Sequence, residues 1–121
     1  MNKTRSKTKD SFSNFSLSGE LLKAIKELGF KHPTPIQNKV IPHLMSSDQD
    51  LIASAQTGTG KTAAFGLPLL SLTNTQSNKV QTLILCPTRE LCIQITNDLS
   101  SYSKYLRMVN ILAVYGGTKI E

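Results

Sequence analysis

The stretch AQTGTGKT, from Ala55 to Thr62, places two glycines, a lysine and a threonine close together in the 121-residue sequence. Glycines allow a sharp backbone turn, so that consecutive N–H groups point toward a bound anion. A lysine beside them neutralises phosphate charge, and the next hydroxyl can ligate Mg²⁺. The strict pattern begins with glycine, whereas Ala55 stands there, so only a relaxed form matches. The stretch predicts a site for the phosphates of a nucleoside triphosphate, the alternative being an ordinary turn with a surface lysine.

A second polar pattern lies upstream, in GFKHPTPIQ at residues 29–37. The amide of Gln37 offers an acceptor and a donor group, which can match the edge of adenine. Thr34 and Gln37 are also spaced as in a capping box, in which each side chain satisfies a backbone N–H at a helix start. From the residues alone both roles stay open, and capping is the more common use of this spacing.

Apolar patterns predict the elements that position these residues. Leucines and isoleucines at helical spacing predict a helix that is capped by Ser18 and ends near Gly29. A second helix follows Thr34, and Pro42 is expected to kink or end it. Short apolar runs predict strands at 50–55, 80–86 and 109–116, with helices from the glycine stretch to about residue 72 and from residue 88 onward. This alternation predicts an α/β fold with a mainly parallel sheet and helices on both faces.

Charge and composition describe a single domain with a basic start. The net charge is +6, and half of it lies in residues 1–10, where four basic residues accompany one acidic residue. We expect this tail to be disordered, either attracting polyanions or simply solvated. No apolar run approaches the roughly 20 residues of a membrane helix. Cys86 and Cys92 do not have a zinc-site spacing. We therefore expect a cytoplasmic protein with reduced thiols and no membrane partner.

Taken together, four segments resemble motifs of the first RecA-like domain of DEAD-box RNA helicases. GFKHPTPIQ resembles the Q motif, with Phe12 at the place of its isolated aromatic, and AQTGTGKT resembles motif I. PTRELCIQ at 87–94 is similar to motif Ia, with Cys92 at a position that is usually alanine. The glycine pair at 116–117 resembles the next RNA-contacting motif. The resemblance covers about residues 12–118 and implies a three-layer P-loop fold, truncated after about three strands.

The resemblance also implies the roles of individual residues. The implied ATP site comprises Phe12, Gln37, Ala55, Gln56, Thr57, Gly58, Thr59, Gly60, Lys61 and Thr62. In it Phe12 stacks on adenine and Gln37 reads it, while Lys61 holds the phosphates and Thr62 ligates Mg²⁺, which makes these last two the expected catalytic residues. The implied RNA-binding residues are Pro87, Thr88, Arg89, Gly116 and Gly117.

The sequence lacks one part of the family's chemistry. Members hydrolyse ATP with an Asp-Glu-Ala-Asp segment, which does not occur among these residues, and with a second RecA-like domain. We therefore expect residues 11–121 to be part of the first domain of an ATP-dependent RNA helicase, and to be inactive alone. The alternatives are a non-enzymatic nucleotide- or RNA-binding module and a P-loop enzyme of another class.

Overall fold

The computed structural model describes residues 10–117, and residues 1–9 and 118–121 lie outside that description. The tail predicted at 1–10 therefore falls almost entirely outside the described residues. A 3₁₀ helix at Phe12–Phe15 is followed by four α-helices: α1 at Gly19–Glu27, α2 at Pro35–Ser46, α3 at Lys61–Leu72 and α4 at Arg89–Tyr102. None of these described helices is long and apolar enough to cross a membrane.

Polar side chains fix the start of three of these helices. Ser18 before α1, Thr34 before α2 and Thr88 before α4 each accept a hydrogen bond from a backbone N–H of the first turn. The caps predicted at Ser18 and Thr34 are thereby confirmed. Pro42 lies inside α2, which continues to Ser46, so the proline does not end that helix.

The core lies between the helices and is built from their apolar faces. α2 packs against α3, α3 against α4, and α1 against α4. The fully buried side chains include Leu21, Ile25, Ile41 and Leu67. Burial of one such aliphatic side chain contributes roughly 1.5–3 kcal/mol. This packing fixes α3, the helix that follows the glycine stretch, against both α2 and α4.

The predicted parallel sheet, and with it the three-layer RecA-like α/β architecture truncated after three strands, is wrong for the described residues. Their regular secondary structure is entirely helical. The segments predicted as strands, 50–55, 80–86 and 109–116, contain no residue in a strand. Within residues 10–117, no backbone hydrogen bond joins one of these segments to another. The structure therefore shows a helical domain with irregular segments where the sequence predicts strands.

Burial along segment 109–115 explains why the apolar pattern was misleading. Its residues alternate between half-buried and exposed positions. Val109 and Ile111 pack against the helical core, whereas Leu112 is 85% exposed and Val114 is 66% exposed. Apolar alternation indicates which side chains can pack on the helices, but a sheet also requires backbone pairing between neighbouring segments. Here side-chain packing is present and the pairing is not.

Candidate nucleotide and RNA sites

The glycine stretch forms a tight turn immediately before α3. Gly58 and Gly60 have φ angles of 80° and 81°, in the left-handed region that glycine adopts without steric penalty. Between them, the hydroxyl of Thr59 donates a 2.6 Å hydrogen bond to the carbonyl of Gln56. This bond closes the turn, and the chain then enters α3 at Lys61.

The first turn of α3 has no side-chain cap. Gly60 occupies the N-cap position, and no side chain there hydrogen-bonds to the helix start. Lys61, the first residue of α3, is exposed, and Thr62 is half-buried. The first N–H groups of a helix lack intrahelical acceptors and carry the positive end of the helix dipole. An anion at this turn would therefore meet backbone donors, a lysine and a hydroxyl together.

Gln37 connects this turn to the start of α2. Its side chain is almost fully buried, at 3% exposed. Oε1 of Gln37 accepts a 2.9 Å hydrogen bond from the N–H of Thr34, whose hydroxyl accepts a 3.4 Å bond from the N–H of Gln37. Nε2 of Gln37 donates a 3.2 Å hydrogen bond to the carbonyl of Gly60. The capping box is confirmed, and the bond to Gly60 is a further link that the spacing did not predict.

The same contact explains why position 60 requires glycine. A Cβ at Gly60 would overlap Nε2 of Gln37 and lie 3.4 Å from Oγ1 of Thr34. Gly58 has the same left-handed backbone, yet a Cβ there would meet nothing within 4 Å. The two glycines of the turn are therefore equivalent in backbone conformation and different in their surroundings.

Phe12, the predicted adenine-stacking residue, lies inside an aromatic cluster. It is 5% exposed, and its ring centroid is 5.9 Å from that of Phe15 and 5.8 Å from that of Phe30. Phe30 packs in turn against Tyr102 of α4, at 5.8 Å between centroids. The ring belongs to the core in this structure, and its stacking on adenine stays a prediction.

An open cavity of about 570 Å³ lies beside the start of α3. Its lining includes Ile36, Val40, Asp50, Ala53, Lys61 and Phe65. Its volume is within the range of roughly 300–1,000 Å³ that is typical of small-molecule sites. Among the described residues that line it, neither Phe12 nor Gln37 occurs. The cavity therefore borders the predicted phosphate-binding lysine but not the two predicted adenine contacts.

A second polar corner forms where α4 begins. Arg89, the first residue of α4, donates a 2.5 Å hydrogen bond from Nη2 to the carbonyl of Gly116. Its guanidinium carbon lies 5.5 Å from the centroid of the Tyr115 ring. Gly116 and Gly117 form an exposed turn, in which Gly117 has a φ of 88°. The structure thus brings three of the predicted RNA-binding residues together.

The other two predicted RNA-binding residues, Pro87 and Thr88, lie in the exposed bend that leads into α4. The hydroxyl of Thr88 accepts a 3.2 Å hydrogen bond from the N–H of Leu91. A hydroxyl that accepts one hydrogen bond still has a hydrogen to donate. Thr88 therefore caps α4 and retains a donor for a second partner, whereas α3 begins without such a cap.

Tyr115 is a residue at these sites that the sequence analysis did not single out. Its signal in the sequence is an aromatic side chain directly before the glycine pair at 116–117. The neighbouring carbonyl of Val114 accepts a weak hydrogen bond from Sγ of Cys92, at 3.9 Å. Segment 109–115 is therefore attached to α4 at two points, one through Arg89 and one through Cys92.

A separate charged cluster lies between α1 and the chain that follows α4. Glu27 accepts hydrogen bonds from the Tyr105 hydroxyl at 2.5 Å and from Nζ of Lys104 at 3.3 Å. The Tyr105 hydroxyl, and then Lys104, hold the pKa of the Glu27 carboxyl below its usual value. This cluster attaches α1 to the chain that follows α4 and includes none of the predicted site residues.

Comparison with known proteins places this chain in a family. A model of the DEAD/DEAH box helicase family matches residues 34–121. ATP-dependent RNA helicase CshA of Listeria monocytogenes is 51% identical over 110 residues, which are 91% of this chain and 21% of that relative. ATP-dependent RNA helicase DeaD of Escherichia coli is 43% identical over 110 residues, 91% of this chain and 17% of the relative. The chain thus spans about a fifth of the length of these curated relatives.

Solved structures agree with the sequence comparison. The crystal structure of a DEAD box protein from Methanococcus jannaschii gives a TM-score of 0.78 at 39% identity, covering 90% of this chain and 30% of that one. Dbp5 of S. cerevisiae bound to RNA and ADP BeF3 also gives 0.78, at 36% identity, covering 81% and 25%. The range that the family model matches contains Gln37, the glycine stretch, Arg89 and the glycine pair at 116–117. The chain therefore belongs to the DEAD/DEAH box helicase family.

Proposed function

We propose that this chain is the ATP- and RNA-binding N-terminal part of an ATP-dependent RNA helicase, which couples ATP hydrolysis to the unwinding of RNA duplexes. Its family and the activity named for the relatives CshA and DeaD support this proposal. The observation that carries it is the left-handed turn at Gly58 and Gly60 ahead of an uncapped helix. That arrangement leaves backbone donors open at the positive end of α3.

In the proposed ATP complex, the backbone from Ala55 to Thr62 surrounds the phosphates, and Lys61 neutralises part of their charge. Gln37 keeps the turn in place through the Gly60 carbonyl, and its second Nε2 hydrogen and remaining Oε1 lone pair read the adenine. Phe12 is buried against its aromatic neighbours. Its stacking on adenine therefore requires the ring to leave that cluster.

Thr62 is the proposed protein ligand of Mg²⁺. Within residues 10–117, no three His, Cys, Asp or Glu side chains are grouped so that they could hold a metal ion themselves. Mg²⁺ in nucleotide sites is bound by few protein groups together with phosphate oxygens and water. A single hydroxyl next to Lys61 fits that mode, in which the ion offsets phosphate charge.

The proposed RNA site is the corner formed by Pro87, Thr88, Arg89, Gly116 and Gly117. A guanidinium has five N–H donors, and Arg89 uses one on the carbonyl of Gly116. The remaining donors and the exposed turn are suited to RNA phosphates and sugars. Such contacts carry little sequence information, so we propose broad RNA specificity.

We further propose that these 121 residues alone bind ATP without turning it over. They contain no Asp-Glu-Ala-Asp segment, and phosphoryl transfer requires a positioned metal and charge stabilisation. In the longer protein, a second RecA-like domain is the proposed partner of this chain. The proposed location is the cytoplasm, which the free thiols of Cys86 and Cys92 favour. RNA-stimulated phosphate release from the purified chain would contradict the proposed inactivity.

The test of the nucleotide site is a titration of the chain with Mg-ATP. Lys61→Ala should weaken binding by roughly ten-fold or more, because a hydrogen bond to a charged group is lost. Lys79→Ala, which removes an exposed lysine from a loop, should leave the affinity unchanged. Equal affinity of the wild type and Lys61→Ala would remove the proposed site. Equal binding of ATP and GTP would favour a P-loop enzyme of another class.

A further inference from the structure

Two consecutive residues hold one arginine side chain at the start of α4. The ring of Tyr115 lies 5.5 Å from the guanidinium carbon of Arg89, a distance at which a cation interacts with an aromatic face. The next residue, Gly116, accepts the 2.5 Å hydrogen bond from Nη2 of the same side chain. The guanidinium is therefore restrained both by a ring and by a carbonyl.

These restraints matter because an arginine loses much rotamer freedom when it is fixed on a phosphate. A side chain that is already oriented loses less on binding, and affinity rises accordingly. Arg89 is exposed, and its remaining N–H donors are still able to contact an anion. The Cys92–Val114 contact attaches the segment that carries Tyr115 to α4, so the ring and the arginine stay on the same part of the structure.

We propose that Tyr115 is a positioning residue for RNA binding, which orients Arg89 toward a phosphate of the RNA backbone. The proposal rests on the RNA-binding function proposed for Arg89. Tyr115 itself need not touch RNA. Its effect should pass through the guanidinium and depend on the aromatic ring rather than on the hydroxyl.

The test is a double-mutant cycle on RNA affinity. Binding of a fluorescent single-stranded RNA is measured by anisotropy for the wild type, Tyr115→Leu, Arg89→Ala and the double variant. Tyr115→Leu should weaken binding by roughly two- to five-fold, as expected for loss of an exposed cation–π contact. In the Arg89→Ala background the same substitution should have no further effect.

Two control variants separate positioning from general disturbance of the segment. Tyr115→Phe keeps the ring and should bind RNA as the wild type does. Val114→Ala alters an exposed neighbour in the same segment and should also leave affinity unchanged. A loss in Tyr115→Phe as large as that in Tyr115→Leu would overturn the proposal, because the hydroxyl would then be responsible.

An RNA-free measurement keeps the proposal testable if Tyr115→Leu folds poorly. The Nε–H resonance of Arg89 in the wild-type chain should show a ring-current shift, and a random-coil shift would overturn the positioning role. If Arg89→Ala binds RNA as the wild type does, the proposed function of Arg89 fails, and the role of Tyr115 fails with it. If Arg89→Ala binds weakly while Tyr115→Leu binds normally, only the positioning role is overturned.

Discussion

The starts of α3 and α4 differ in what they leave open to an anion. At α3 the N-cap is Gly60, no side chain caps the first turn, and buried Gln37 holds the turn from the α2 side. At α4 the hydroxyl of Thr88 already satisfies one backbone N–H, and exposed Arg89 supplies the charge. The start of α3, the first corner, is suited to phosphate recognition by backbone N–H groups. The start of α4, the second corner, is suited to phosphate recognition by a side chain. What a helix N-terminus can bind therefore depends on which backbone N–H groups and side-chain donors around it have no partner in the protein.

The two corners should also respond differently to substitution. The glycine turn depends on the buried side chain of Gln37, which makes two hydrogen bonds, so changes there should affect stability and ATP binding together. The corner around Arg89 is exposed. The segment that leads into it is held to α4 by the contact of Cys92 with the Val114 carbonyl. Apart from loss of the Thr88 cap, changes there should affect RNA binding with little effect on stability, since surface substitutions usually change the free energy of unfolding by less than about 0.5 kcal/mol.

Gly60→Ala should have the largest effect on stability. The left-handed backbone costs about 1–2 kcal/mol for a residue with a Cβ. That Cβ would also overlap Nε2 of Gln37 and displace it from the Gly60 carbonyl. A buried donor left without its acceptor costs about 1–3 kcal/mol. We expect a total loss of about 3 kcal/mol in the free energy of unfolding, measured by urea denaturation.

Gly58→Ala is the matched control for that prediction. Its φ of 80° is nearly that of Gly60, but a Cβ there would meet nothing within 4 Å. Only the backbone strain of about 1–2 kcal/mol should remain. Equal losses in the two variants would show that the contact between Gln37 and Gly60 is energetically unimportant.

Gln37→Ala should have the next largest effect, a loss of about 2 kcal/mol in the free energy of unfolding measured without nucleotide. The substitution leaves the Thr34 N–H without its acceptor and removes the Gln37 donor from the Gly60 carbonyl, which keeps the N–H of Ala64. A polar group left unsatisfied in a buried setting costs about 1–3 kcal/mol. The preference for ATP over GTP should also disappear in competition titrations. Lys39→Ala, on the same helix but exposed, should change neither quantity. A nucleotide-free stability equal to that of the wild type would leave Gln37 with a ligand-reading role alone.

The sequence predicted what depends on neighbouring residues. The helix starts, the caps at Ser18 and Thr34 and the glycine turn are all decided within a few positions. The bond from Gln37 to Gly60 joins residues 23 apart, and the contact of Tyr115 with Arg89 crosses a similar separation. No spacing rule encodes such pairs, because helix packing creates them.

The sheet was mispredicted for a related reason. Runs such as the one at 109–115 have the composition and alternation of strands. Whether they become strands depends on backbone pairing with segments far away in sequence, and within residues 10–117 that pairing does not occur. Local motifs are therefore enough to propose site residues, whose roles stay predictions, but they did not predict the architecture around them.

Thr88→Ala, at the start of α4, should have a smaller effect on the free energy of unfolding. Loss of an N-cap typically costs about 1 kcal/mol, and Thr88 caps α4 through the N–H of Leu91. Ser18→Ala removes the corresponding cap of α1 and should cost a similar amount in urea denaturation. RNA affinity should fall in Thr88→Ala only, because Ser18 lies outside the proposed RNA site. A parallel loss of RNA affinity in both variants would attribute it to stability instead.

The smallest effect at neutral pH is expected for Tyr102→Phe, in the core that both corners share. Tyr102 packs on Phe30, and burial, followed by the nearby Asp98 carboxylate, raises the pKa of its hydroxyl to about 12 from an ordinary value of 10.0. Because the folded pKa lies above the unfolded one, this contribution to stability is fully present below pH 10 and is lost as pH rises through about 12.

Phenylalanine in the Tyr102→Phe variant has no group that ionises. The wild type should therefore lose more stability than the variant between pH 10 and about 12. At pH 7 the two should differ by less than about 1 kcal/mol, with ATP and RNA affinities unchanged. Urea denaturation across the alkaline range measures the difference. Parallel pH profiles would mean that Tyr102 is not the group whose ionisation destabilises the fold. Altered ATP or RNA affinity at pH 7 would instead show that the core is energetically coupled to the starts of α3 and α4. The two helix starts could then not be treated as independent sites.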